Sequence, residues 1–113
     1  MLFHLALPED FAVAQDTGVY TVSTRGRTID EVGFIHCSAS VEQVREVWQA
    51  FYSDREDILL LAINEDAVEA EGLTIKFENS DPNDAESEIF PHIYGGPLPL
   101  STLKIQSSGL PLN

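Results

Sequence analysis

One cysteine, Cys37, stands among 113 residues, so no disulfide can form within the chain. No apolar run reaches the ~20 residues that span a bilayer. The opening residues "MLFHLALPEDF" carry no basic segment and no small-residue cleavage site, so no signal peptide is expected. Together these features predict a soluble cytoplasmic protein. Positive charge is the other scarcity: 6 basic residues face 19 acidic ones, a formal net charge of -13. Such a surface repels phosphate backbones, which argues against a nucleic-acid partner. Arg25 and Arg27 in "STRGRT" are the one close basic pair. There is no P-loop, no GxGxxG, no GxSxG and no paired cysteine motif. Repeats, low-complexity tracts and long linkers are absent too, so residues 1–113 are read as one domain.

What is present is a core. Hydrophobic residues make up 43% of the chain, enough to bury one. "LFHLAL" is a short apolar run ended by Pro8 and reads as a strand. "PEDFAVAQDTG" reads as a helix, with Pro8 at its first position, acids in its first turn and Gly18 as its stop. "VYTVSTRG" suits a short strand or an extended loop, "TIDEVG" a helical turn ending at Gly33, and "FIHCS" a second strand. Ser40 and Gln43 make a capping box for a helix over 41–52, whose stripe is Val41, Val44, Val47, Trp48, Phe51 and Tyr52. "DILLLAI" has the length and continuity of a central buried strand. "GLTIKFE" alternates, "NSDPNDAESE" is a surface loop, and "IFPHIY" is a strand whose Pro91 predicts an edge or a bulge. "LSTLKIQ" suits a last strand. The fold class expected is α+β: a mostly antiparallel sheet with one principal amphipathic helix and a smaller one.

All three histidines fall in or beside predicted strands. Alternation puts His4 with Leu2 and Ala6, His36 with Ser38, and His92 with Phe90 and Tyr94; Glu78 lies with Thr74 and Lys76. Faces brought together in this way would form a histidine-lined cleft with a hydroxyl, a phenol and a carboxylate. Each residue also has a plainer role. A strand histidine is more often a hydrogen-bonded core residue than a catalyst. Cys37 alternates away from His36 and suits a small buried apolar position. Ser38 can merely open the turn before the helix, Tyr94 and the glycines can close a strand, and Glu78 can be a solvated carboxylate. No HxH or HxxxH spacing is present, so no metal is expected.

"FHLA", "GFIHCS" before the capped helix, "IKFE" and "FPHIYGGPLPL" resemble, in this order, the signature blocks of the domain of unknown function 952. The likeness spans nearly the whole chain and is most specific in "GFIHCS" and "FPHIYG". One departure is Gly95-Gly96 before Pro97, where the family pattern has a single glycine. The resemblance implies a split antiparallel sheet similar to that of ADP-ribosyltransferases, which hold NAD between two halves. It further implies that His4 holds a ribose, and that His36 and Ser38 contact the nicotinamide ribose or a phosphate. His92 and Tyr94 would line the cleft, Gly95 would let a ligand or a strand approach the backbone, and either Glu78 or His92 would fill the third catalytic position. The ligand so implied is NAD or a related ADP-ribose-containing small molecule. Three readings stay open: an ADP-ribosyl-type enzyme acting through His4, His36, His92 and Glu78, a non-catalytic nucleotide- or metabolite-binding module, and a structural or interaction domain.

Overall fold

The computed structural model describes residues 1–108. Ten strands and four α-helices follow in the order β1 (Leu2–Ala6), α1 (Pro8–Thr17), β2 (Val19–Tyr20), β3 (Val22–Thr24), β4 (Arg27–Thr28), α2 (Ile29–Val32), β5 (Ile35–His36), α3 (Val41–Phe51), β6 (Leu59–Ile63), α4 (Glu65–Ala70), β7 (Thr74–Asn79), β8 (Ile89–Tyr94), β9 (Leu98–Pro99) and β10 (Leu103–Ser108), with a 3₁₀ turn at Leu100–Thr102. Among these strands every pairing is antiparallel. The class is α+β, as expected.

Two three-stranded sheets dominate, β1-β6-β10 and β5-β8-β7; two-stranded ribbons β2-β9 and β3-β4 lie beside them. The main sheets meet at one bridge, where Phe3 and Ser38 exchange backbone bonds of 2.8 and 2.7 Å. The central strand β6 is apolar on both faces because both faces are covered. Leu61 and Ile63 enter one core cluster with Leu2, Ala6, Tyr20, Ile35 and Ile93. Leu60 enters a second cluster with Leu5, Val44, Val47, Tyr52 and Phe90. Thus α3 packs on one face of the β1-β6-β10 sheet and the larger core fills the other. His4 shares its face with Leu2 and Ala6, so it points into the larger core.

Caps follow the sequence. Gly18 ends α1 and Gly33 ends α2, both at positive φ. The Ser40 hydroxyl accepts the Gln43 backbone N–H, while the Gln43 side chain caps Ala39 N–H. That completes a box one residue earlier than the usual reciprocal bond.

Four expectations need correction. The helices are four and not two: α1, at 10 residues, nearly matches α3 at 11, and α4 went unread. Asn64 caps α4 by accepting the Ala67 N–H, a signal hidden by the helix's brevity. Pro91 lies in the middle strand of its sheet, not at an edge. Its carbonyl accepts the Cys37 N–H, so its missing donor faces the place where β5 has already ended. "FIHCS" yields only a two-residue strand before the Ser38 bridge. Finally, two residues of the α3 stripe, Val41 and Phe51, are exposed. No described helix is long and apolar enough to cross a membrane.

Candidate functional site

The β5-β8 register pairs His36 with His92. The neighbouring Cys37–Pro91 pair carries the hydrogen bond, so His36 and His92 form a non-hydrogen-bonded pair, where facing side chains approach most closely. Their imidazoles meet, His36 Nδ1 to His92 Nε2, at 3.3 Å. On the other side, β7 pairs Lys76 with His92, which makes Glu78 the diagonal neighbour of His92. Glu78 Oε1 accepts the His92 Nδ1–H at 2.9 Å and also the Tyr94 hydroxyl. With Nδ1 donating to the carboxylate, the neutral form of the His92 ring has its lone pair at Nε2, facing His36. In that arrangement His36 donates from Nδ1, and its own Nε2 carries a lone pair. The chain therefore runs Tyr94–Glu78–His92–His36 and ends on an acceptor.

That acceptor is open. Among the described residues, the buried side-chain polar atoms without a partner are Trp48 Nε1 and Ser107 Oγ, so the unbonded Nε2 of His36 is accessible. His36 borders a groove of about 470 Å³ together with His92, Phe34, Phe51, Phe90 and Arg27. Glu46 and Glu88 stand on the same rim. Burial, and then the neighbouring His92 and His4 imidazoles, lower the His36 pKa to about 4, so its ring is neutral at pH 7. The Tyr94 hydroxyl first, and then His92, hold the Glu78 carboxyl below its ordinary range. Burial and the bond to Glu78 push the Tyr94 phenol up to about 12. Phe34 stacks on the His92 ring, centroids 4.0 Å apart, and tilts against Tyr94 at 5.4 Å. It thus fixes the histidine from the side the hydrogen bonds leave free.

His4 is elsewhere. Its Nδ1–H donates to the His36 carbonyl at 2.6 Å, and its Nε2 accepts the Tyr20 hydroxyl at 3.0 Å. The residue is 4% exposed, and burial lowers its pKa to about 4. It braces the backbone behind His36 and does not border the groove. Ser38 is buried at the bridge to Phe3 and borders a crevice of about 10 Å³ beside His4, not the groove. Gly95, at φ +117°, faces Leu73; a Cβ there would sit 3.0 Å from Leu73 Cδ2. Of the two approaches expected of it, a neighbouring chain segment fills that space. Cys37 is buried and its thiol pKa is raised by burial.

The structure thus brings together His36, His92, Glu78 and Tyr94, and leaves His4, Ser38 and Gly95 outside the groove. Glu78 and His92 were alternatives for one position; they are bonded neighbours. Sequence reasoning missed Phe34. Alternation from His36 puts Phe34 on the same face, and the register then sets it opposite Tyr94. Among the described residues, no group of three or more His, Cys, Asp or Glu is arranged to hold a metal ion.

Comparison with known proteins agrees with this architecture. The crystal structure of protein CC0527 from Caulobacter crescentus is similar, with a TM-score of 0.69 at 22% identity, over 96% of this chain and 82% of that one. A double mutant of the same protein gives 0.70 at 23% identity, with the same coverage. At such identity the likeness shows the fold alone. No curated protein matches this chain. The family described as "Protein of unknown function (DUF952)" matches residues 6–105, nearly the whole chain, and the protein belongs to that family.

Proposed function

We propose that the groove binds a small ligand bearing ribose-type hydroxyls, of the NAD or ADP-ribose class. The observation that carries this reading is the hydrogen-bonded chain from Glu78 to His36, which ends in a free acceptor on an aromatic-walled groove. A neutral imidazole nitrogen held in one orientation accepts a hydroxyl hydrogen with little ordering cost. Phe34, Phe51 and Phe90 offer ring faces for a base or nicotinamide. Arg27 is the cation on the groove and is suited to one phosphate. The resemblance of the family to the ADP-ribosyltransferase fold points the same way.

A specific observation favours binding without transfer. Ribosyl transfer by this class of fold would use a carboxylate beside the reacting ribose to orient a nucleophile. Here Glu78 Oε1 is already committed to His92 and Tyr94, and Glu78 does not border the groove; of the carboxylates that do, Glu88 is bonded to Gln43 and Glu46 lies against Glu88. His36, with its lowered pKa, is a better hydrogen-bond acceptor than proton acceptor.

Amide NMR spectra of the full chain with NAD and with ADP-ribose test the reading. Shifts centred on Thr24, Phe34, His36 and His92 are expected, together with a rise in melting temperature. No response at ~1 mM of either ligand, an affinity floor of about 4 kcal/mol, would overturn it. Nicotinamide release followed in the same samples separates binding from turnover.

A further inference from the structure

His92 and Phe34 form a wall. The groove lies on one side of it. On the other is a second depression of about 400 Å³, bordered by Phe34, Phe77, Glu78, Asn79, His92 and Tyr94. We infer that this second depression is a separate binding site for a small organic cation, an ammonium or methylated ammonium group.

The lining decides the charge. Glu78 uses only Oε1 for its two internal bonds, so Oε2 is unpaired, and the side chain is 39% exposed. The Asn79 amide nitrogen is spent on the Ala85 and Ser87 carbonyls, which leaves its oxygen as the free atom. Both His92 nitrogens are engaged, and the Tyr94 hydroxyl donates inward to Glu78. Apart from the Ser80 hydroxyl, what the lining offers a ligand is acceptors and aromatic faces. Anions find no cation in this lining, and ligands rich in acceptors find the Ser80 hydroxyl alone among its side chains. A cation finds a carboxylate oxygen, an amide oxygen and the rings of Phe34, Phe77 and Tyr94.

Two further observations agree. Phe77 is 59% exposed although it lies in a strand, an apolar ring left without an internal packing partner at the depression's edge. The adjoining loop over 80–88 contributes Asp81, Asp84, Glu86 and Glu88, and the whole chain carries a net charge of -13, so cations are concentrated near this face. The chain's own Lys76 already places Nζ 4.8 Å from the Tyr94 ring centroid. That contact shows that an ammonium group fits against the ring, and it also competes with an incoming one.

The site shares Phe34, His92 and Ser80 with the groove, whereas Phe77, Glu78, Asn79 and Tyr94 border it and not the groove. Its test uses choline as the cation and 3,3-dimethylbutan-1-ol as a neutral molecule of the same shape, with sodium chloride matching the ionic strength. Choline is expected to shift the amides of Phe34, Phe77, Glu78 and Tyr94, and the alcohol to bind at least ~10-fold more weakly. Glu78→Gln should weaken choline ~10-fold by removing the charge. Phe77→Ala should weaken it ~3-fold with the melting temperature unchanged, since that ring is exposed. Lys76→Gln should tighten it ~3-fold by removing a like charge and freeing a ring face. Equal binding of choline and the alcohol would overturn the proposal, as would unmoved amides at ~50 mM choline. Because His36→Ala disables the groove and leaves these residues in place, choline binding should survive that change; ADP-ribose binding should not.

Discussion

His4 and His36 are joined by one hydrogen bond, yet they have opposite surroundings. His4 sits on the face of β1 that looks into the larger core, and both its nitrogens are satisfied inside the protein. His36 sits on the face of the second sheet that looks across to the groove, and one of its nitrogens is left without a partner. Both rings are kept neutral by burial. The difference lies in what the chain gives each ring to bond with. Tyr20 closes His4 off, whereas Glu78, acting through His92, orients His36 and leaves its far side open. Neutrality and burial are common to both rings; the unspent acceptor is what sets His36 apart.

The largest effect expected from breaking this comparison is on stability. His4→Leu keeps much of the volume but strands the Tyr20 hydroxyl and the His36 carbonyl in the core. It should cost about 3 kcal/mol in urea unfolding. His36→Gln, at the groove, should cost about 1 kcal/mol or less. A loss for His36→Gln as large as that for His4→Leu would erase the distinction.

A second effect, spread over several pH units, should appear with acidification. Both histidines have folded pKa values near 4, below the unfolded value of 6.5. Between these values the unfolded chain binds protons that the folded chain refuses. The stabilising contribution is therefore complete above pH 6.5 and is lost as pH falls toward 4. Each residue adds a slope approaching about 1.4 kcal/mol per pH unit across that window. Denaturation midpoints followed from pH 7 to 4.5 should show the combined slope, and His4→Leu should remove roughly half of it. An unchanged slope in that variant would mean that His4 titrates freely.

Much of the fold was legible because its signals are local. Pro8 and Gly18 bracket α1, Ser40 opens α3, and the unbroken apolar run of β6 declares a strand covered on both faces. What was illegible depends on distant partners. Pro91 looked like an edge residue because a proline costs a ladder bond; it is tolerated in a middle strand because its neighbour β5 stops at His36. The sealing of His4 depends on Tyr20, 16 residues away, whose placement comes from the β2-β9 ribbon. The pairing of Glu78 with His92 was within reach. Closing the loop over 80–88 as a hairpin sets Asn79 against Ile89, and Glu78 then falls diagonal to His92. Alternation within each motif gave no hint that the three histidines would divide two to one between groove and core.

The central claim is that the proton on His36 lies at Nδ1, facing His92, so that Nε2 is free on the groove. Long-range ¹H–¹⁵N correlation spectra of the three histidine rings, recorded with and without ADP-ribose, test it directly. The account predicts the Nδ1–H form for His4 and His36, with ligand moving His36 Nε2 and leaving His4 unchanged. A proton found on His36 Nε2, or a His4 ring that responds to the ligand as strongly as His36, would contradict it.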